Sequence, residues 1–365
     1  MPDSGEVRER TVPPQSIDVE MDSARNLKRQ RTQEAKVEGG DDEDSIPQLK
    51  PHERLWFDDG NVVIVAAATL FRVHRGILSH YSSVWKRLLA QQEVDPERLF
   101  DCPALRLVDD NAADVEYVLD SMYDMNFIRA RQLKITVVSA FLRLGTKYDI
   151  KQLREEAIHR LSICYPNRLY DYYKLEDADF VRPIPSDPTH CEEFLVSLLA
   201  LVYDLKALLP VALYKCCVST PADAFLPMVD KARGLSGGTV RHAQLFLQTC
   251  LAGRAKLVKQ RAKVAFAFLD GTLGPQCRSE ARCESLMKKM LADAYNHDFI
   301  IDNPAAIDDA SVSFIDYNEY REEACRDCFR YFMQRHDEGR KRAWDALPWC
   351  FGLEIPTGDW HRHFG

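Results

Sequence analysis

The feature that most constrains this 365-residue chain lies between Thr69 and Leu89, where the hydrophobic period changes within one stretch. In "TLFRVHRGILSHYSSVWKRLL" the apolar residues fall at every second position up to His74, at Phe71 and Val73. Beyond it they fall at Ile77, Leu78, Tyr81, Val84, Trp85, Leu88 and Leu89, the three-and-four spacing of one helical face. Alternation by two buries one side of a strand, and the longer period buries one side of a helix. The spacing therefore predicts a strand that runs into a helix through His74 and Arg75. Ser82 or Ser83 is placed to cap the helix's second part.

The flanking sequence extends this pattern. Val62–Ala66 and Leu70–Val73 are apolar runs separated by small residues, which predicts a hairpin. Leu105 and Leu107 alternate with polar neighbours as in a strand. In "NAADVEYVLDSMYDM" a helical stripe is formed by Val115, Val118, Leu119, Met122 and Tyr123, with Asn111 as N-cap and Asp114 in the first turn. A helix pair follows, the first member carrying Val138, Phe141 and Leu142. The second carries Ile150, Leu153, Ala157, Ile158 and Leu161, with Gly145 near the break between them. This order, within about 110 residues, reads as one α+β domain. Its expected core unites Val63 and Phe71 of the sheet with Leu88, Leu119 and Phe141 of the helices.

Outside that segment the composition shifts. Residues 1–50 hold no Phe, Tyr, Trp or Cys and read as a disordered charged tail. Lys28, Arg29 and Arg31 within it read either as a nuclear-localisation signal or as solvated charge. Residues 164–190, rich in proline and acidic side chains, read as a linker or long loop. Residues 191–355 read as a helical C-terminal domain. Its most apolar stretch, Phe194–Tyr214, is interrupted by Asp204, Lys206 and Pro210, so a buried helix ending near the proline is expected rather than a membrane span. The dense stripe of Trp344, Leu347, Trp349, Phe351 and Leu353 either packs back on the helices or docks a partner.

Charge and cysteine usage narrow the chemistry. A net charge of −8 and a pI near 5.7 argue against a general nucleic-acid binder. The N-terminus has no apolar stretch behind its first charges, so an intracellular protein, cytoplasmic or nuclear, is expected. Eleven cysteines then read as mostly free thiols, with metal ligation the exception to look for. The candidate metal ligands are Cys277 and Cys283 of "CRSEARC" and Cys325 and Cys328 of "CRDC". Zinc takes four soft ligands tetrahedrally, and a C-x-x-C pair supplies two from one turn. The five residues between Cys277 and Cys283 exceed the usual two to four, and His297 and His336 are candidate substitutes. The competing reading is that Cys325 and Cys328 simply face inward on an amphipathic helix.

A thioredoxin-like role for "CRDC" lacks its βαβ surroundings. Cys216 and Cys217 have no protease-like signature around them and read as buried thiols. The stretch "GLSGGTV" lacks the endings that wrap phosphates and reads as a loop before a helix. The acidic runs "DDED" and "LEDAD" lack the alternating ligand pattern of a calcium loop.

The motif F-x-x-H-(R/K)-x-x-L-x-x-x-S-x-x-F stands here as Phe71, His74, Arg75, Leu78 and Ser82, with Trp85 in place of the usual final aromatic. Together with the helix pair "FLRLGTKYDIKQLREEAIHRL", these residues make segment 55–163 resemble a BTB/POZ domain. The opening "LWFDDGNVV", the segment "CLAGRAKL" and the tail from Ala324 to Leu353 are similar to BTB proteins of mushroom-forming fungi. The resemblance implies a BTB/POZ fold, a small sheet with clustered helices, followed by a mostly helical region. It also implies a non-enzymatic protein–protein interaction module, self-associating as a homodimer or adaptor-like.

A substrate adaptor on a cullin scaffold and a transcriptional cofactor are the alternatives within that class, and a cysteine-dependent enzyme is the alternative outside it. No membrane partner is expected, and no zinc-finger or homeodomain pattern supports direct nucleic-acid contact. Asn61 stands where the family places an acidic residue opposite the Arg of the His-Arg pair. It is expected to hydrogen-bond Arg75 without neutralising it. His74 is expected to satisfy a backbone group at the corner, without proton transfer.

Overall fold

Strand β2 (Val62–Ala66) is buried on both faces, and the architecture follows from it. The structure is a computed structural model that describes residues 49–91, 98–186, 191–296, 303–307, 318–355 and 360. The charged tail with Lys28, Arg29 and Arg31, and also His297, lie outside the described residues. Strand β2 pairs antiparallel with β3 (Thr69–Val73), placing Ile64 opposite Phe71, through a turn in which Ala67 adopts φ 49°. On its other edge it runs parallel to β5 (Cys102–Leu107). Two outer strands, the seven-residue β1 (Lys50–Trp56) and the two-residue β4 (Arg98–Leu99), complete the order β1-β3-β2-β5-β4. Neither has the apolar alternation that reveals a strand in sequence. The expected hairpin is present, but Val63 does not join Phe71. Val62, Ile64 and Ala66 face the main core with Phe71, whereas Val63 and Val65 face the opposite side with Leu70 and Cys102. A strand apolar at every position carries no signal for which face is which, and a shift of one residue reverses them all.

Helix α1 (Arg75–Tyr81) and helix α2 (Ser83–Gln91) follow β3, broken at Ser82, whose backbone is extended. The Ser82 hydroxyl accepts from the Trp85 N–H at 2.9 Å and donates to the Tyr148 carbonyl at 2.6 Å. The predicted cap is therefore also a tie across the domain. Helix α3 (Ala112–Tyr123) is capped as expected by Asn111, which accepts from the Ala113 N–H at 2.9 Å. After α4 (Met125–Ile128) comes the helix pair, α5 (Ile135–Lys147) and α6 (Lys151–Cys164). The break falls at Tyr148–Ile150, with Asp149 at φ 53°, and not at Gly145. Gly145 is a glycine for a different reason: a Cβ there would stand 2.9 Å from the Arg154 backbone nitrogen. Phe71, Leu119 and Phe141 share the main core, and Leu88 packs on it half-buried.

The stretch read as a linker is partly helical, with α7 at Leu169–Lys174. Its Tyr165, Tyr172 and Ile184 are buried in the same core. Pro183 accepts one of several hydrogen bonds from the buried guanidinium of Arg160, which also reaches the carbonyls of Ile128, Ala130 and Arg131 at 2.7–3.5 Å. One cation thus gathers two loops, satisfying backbone acceptors that burial would otherwise leave unpaired.

Pro210 does not end a helix but begins one. Helix α8 (Glu192–Val202) stops before a turn in which Asp204 adopts φ 52°, and α9 (Leu209–Ser219) has Pro210 in its first turn, where a missing N–H is harmless. Helix α10 (Phe225–Ser236) closes on Gly237 at φ 70°. Thr239 and His242 then form a reciprocal capping box for α11 (Val240–Gln260). The helical region continues through a π turn at Arg261–Ala265 to α12 (Glu280–Asn296), α13 (Asn318–Glu323), α14 (Arg326–Asp345) and α15 (Leu347–Cys350). Among the described residues no helix is long and apolar enough to cross a membrane.

Gln48–Gly365 clusters as one compact unit. Its main core runs from Leu55 to Trp360 through the sheet, the helix pair and the C-terminal helices. Trp344, Leu347 and Phe351 of the terminal stripe are part of it, while Trp349 is half-exposed. A second, smaller core gathers Phe268, Leu286, Met290, Cys283, Cys328 and Phe332, among others. Helix α14 contributes to both, with Phe332 in the second and Trp344 in the first. Between them Gly339 crosses the π turn, where a Cβ would lie 2.2 Å from the Val264 carbonyl oxygen. Phe141→Ala is expected to lower stability by about 3–5 kcal/mol in urea unfolding, whereas Val108→Ala, on an exposed side chain, is expected to change it by under about 0.5 kcal/mol.

Candidate functional site

Cysteines from two distant parts of the sequence converge at one end of the second core. The sulfurs of Cys277, Cys283, Cys325 and Cys328 all lie within 4.8 Å of one another, with Cys325 and Cys277 3.8 Å apart. Cys277 sits on a turn closed by its N–H on the Gly274 carbonyl at 3.0 Å. Cys283 sits in the first turns of α12, its N–H on the Ser279 carbonyl at 2.9 Å. The five intervening residues are thus taken up by a turn and a helix start, which shortens the spatial gap that the sequence spacing suggested. Cys325 is the N-cap of α14, accepting from the Cys328 N–H at 3.4 Å, and Cys328 accepts from the Gly274 N–H at 3.3 Å.

A close approach of chain to chain fixes this arrangement. A Cβ on Gly274 would stand 2.4 Å from the Asp327 carboxylate, and Asp327 itself accepts from the Gln276 N–H at 2.8 Å. Gly274 and Asp327 are neighbours of the cluster that no spacing rule exposes. Cys283 and Cys328 are buried, Cys277 and Cys325 half-buried. Burial raises the Cys283 and Cys328 thiols. At Cys325 burial acts upward too, but hydrogen bonds from Cys328, Cys283 and Cys277 outweigh it and bring the thiol down to about 7. His336 is not part of the cluster. It is fully buried, with Nδ1 2.9 Å from the Ala265 carbonyl, an acceptor that requires the proton on Nδ1.

The other predicted thiols are enclosed. Cys216 and Cys217 lie inside α9, fully buried, with the Cys216 sulfur 3.3 Å from the Ser197 hydroxyl and Cys217 donating to the Cys250 carbonyl at 3.5 Å. Burial pushes the Cys216 and Cys250 thiols up, the opposite of an activated nucleophile.

The strand-to-helix corner is held by side chains. The Tyr123 hydroxyl accepts from the His74 backbone N–H at 2.9 Å and lies 3.0 Å from His74 Nδ1, while Nε2 faces Asp59 at 3.2 Å. The His74 ring therefore engages side-chain oxygens, not the backbone group expected of it. Asn61 hydrogen-bonds Arg75 as expected, and does so at the backbone: its Oδ1 accepts from the Arg75 N–H at 2.8 Å. That is the first N–H of α1, which has no capping side chain of its own, so Asn61 caps the helix from across the hairpin. Phe71 and Leu78 are buried, and Trp85 is fully buried against Tyr148 at 5.0 Å between ring centroids. Tyr148 in turn donates to Asp110, which also pairs with Lys147 at 2.8 Å. Phe71, His74, Leu78, Ser82 and Trp85 of the sequence motif thus have their side chains engaged within the domain. A family model for the BTB/POZ domain matches residues 57–162.

The chain carries a BTB/POZ domain. Such domains are generally protein–protein interaction modules, typically without catalysis. Comparison with curated proteins and with solved structures finds no match. Within the BTB domain, Tyr123 was visible in sequence only as a helix-stripe residue, and Asp110 was not singled out at all. Their polar partners, His74 and Tyr148, come from 49 and 38 positions away and leave no local pattern. Tyr123→Phe removes the oxygen that serves the His74 N–H. It is expected to cost about 1–3 kcal/mol in denaturant unfolding while leaving the rest of the BTB domain folded.

Proposed function

We propose that this protein acts by association, through its BTB domain, as a self-associating or adaptor-like module without catalysis. The supporting observation is that the BTB motif residues are spent on structure: Phe71 and Leu78 in the core, Ser82 on Trp85 and Tyr148, and His74 on Tyr123 and Asp59. No nucleophile with a base beside it occurs among them. What remains for function is surface. Strand β1 is mostly exposed at the sheet edge, with the backbone groups of an outer strand and the side chains of Lys50, Glu53 and Arg54. An open edge of this kind is a template for pairing with another chain. The helical extension contributes by presenting or receiving a partner, and an adaptor on a cullin scaffold is the runner-up within the same class.

The full chain is the material for the test. The main core runs unbroken from the BTB domain into the C-terminal helices, so excising residues 55–163 would unfold the remainder. Two full-length copies with different tags, expressed together, are expected to be recovered on either tag, and light scattering is expected to give a mass above one chain. A strictly monomeric mass with no co-recovery sinks self-association. Binding of the same monomer to a purified cullin amino-terminal region would then favour the adaptor reading.

A further inference from the structure

We propose that Cys277, Cys283, Cys325 and Cys328 bind one zinc ion that folds the second core. The chemistry of the donor set selects the ligand. Four sulfurs at the corners of a tetrahedron around zinc, with Zn–S of about 2.3 Å, lie about 3.8 Å from each other. Here Cys325 and Cys277 stand at 3.8 Å, and the whole set lies within 4.8 Å. A disulfide needs sulfurs about 2 Å apart and would join them in pairs, whereas these four converge as a group with all thiols free. Four thiolates suit zinc or iron among common metals, and carboxylate and imidazole donors are absent from the set.

The surroundings match a metal-bound thiolate cluster. Two thiolates beyond the ion's own charge leave a net negative site, and Cys283 in the first turn of α12 and Cys325 as N-cap of α14 put it beside the positive ends of both helices. The Gly274 and Cys328 N–H groups reach sulfur, as outer donors to bound thiolates do. Arg278, Arg282 and Arg326 adjoin the ligands in sequence. Each ligand pair belongs to a different arm of the chain, so the ion ties the 274–283 turn to the start of α14.

The second core that these arms enclose is small and separate from the main one. Clusters of this size are marginal without a staple, and a structural zinc supplies folding free energy outright. The ion therefore holds α12 and the first half of α14 in place, while the BTB domain and the main core stand without it.

Elemental analysis of the purified full chain, reconstituted with zinc and freed of excess, tests this. About one zinc per chain is expected, falling to a negligible level in Cys325→Ser/Cys328→Ser and unchanged in Cys216→Ser. Cobalt(II) in place of zinc is expected to give the ligand-field absorption of a tetrahedral thiolate site. Because the double variant could misfold, the wild-type chain is also followed by hydrogen exchange before and after chelation. Protection is expected to fall in 266–296 and 318–333 and to persist in 62–66 and 137–144. Negligible zinc in the reconstituted wild type, equal zinc in the double variant, or iron as the bound metal would overturn the site. Unchanged protection on zinc removal would overturn its folding role.

Discussion

The structure depends on burying β2 from both sides. A strand with no solvent face cannot be stable at an edge or under water, so each face must find its own cover. One face takes Phe71 and the helix pair, and the other takes Leu70, Cys102 and the half-buried Leu49, Trp56 and Leu99. The first demand is met by the chain leaving β3 directly into helix, with Leu78 of α1 and Trp85 and Leu89 of α2 all buried in the core that covers this face. The abrupt corner leaves helix N–H groups and a strand-end N–H without ladder partners. Asn61 and Tyr123 answer them from across the fold. The His-Arg pair is thus the place where two periodicities meet, and its polar environment is a consequence of that junction.

The helical extension is fused to the BTB domain, not hung from it. Ser139 on α5 donates to the Leu235 carbonyl on α10 at 2.9 Å, and Tyr172 of the connecting stretch lies 5.4 Å from Trp344 of α14. Arg160, with its guanidinium shared between the 128–131 loop and Pro183, binds the connection to the domain's last helix. A charge so enclosed is tolerated because its donors find acceptors that burial would otherwise orphan. The result is a main core shared by the BTB domain and much of the extension, which joins the two through packed side chains as well as through the backbone.

How much of this was legible follows from the range of the interactions. The corner, the capping roles of Asn111 and Ser82 and the helix pair are written in spacings of a few residues, and each is present, with only the break of the helix pair shifted from Gly145 to Tyr148–Ile150. The face of Val63 was not, because an all-apolar strand has no phase. The connecting stretch was read as a loop since its prolines and acids are local signals, whereas the value of Tyr165 and Tyr172 exists only against α9 and α14. Pro210 shows the same ambiguity: a proline marks a helix boundary without saying which end. Gly145 and Gly339 are glycines because another backbone passes within reach, which no turn rule can register.

All four cysteines of the cluster were legible as a candidate set, and the structure brings the same four together. What the sequence left open was the spacing of five, which a turn and a helix start absorb. The decisive constraint is steric. Gly274 lets the turn lie against Asp327 so closely that any side chain would part them, and that approach is what carries Cys277 to Cys325. Helix α14 reaches from this cluster to Trp344 in the main core, passing Gly339 where it meets the π turn, so a single helix supplies side chains to two cores that are otherwise separate.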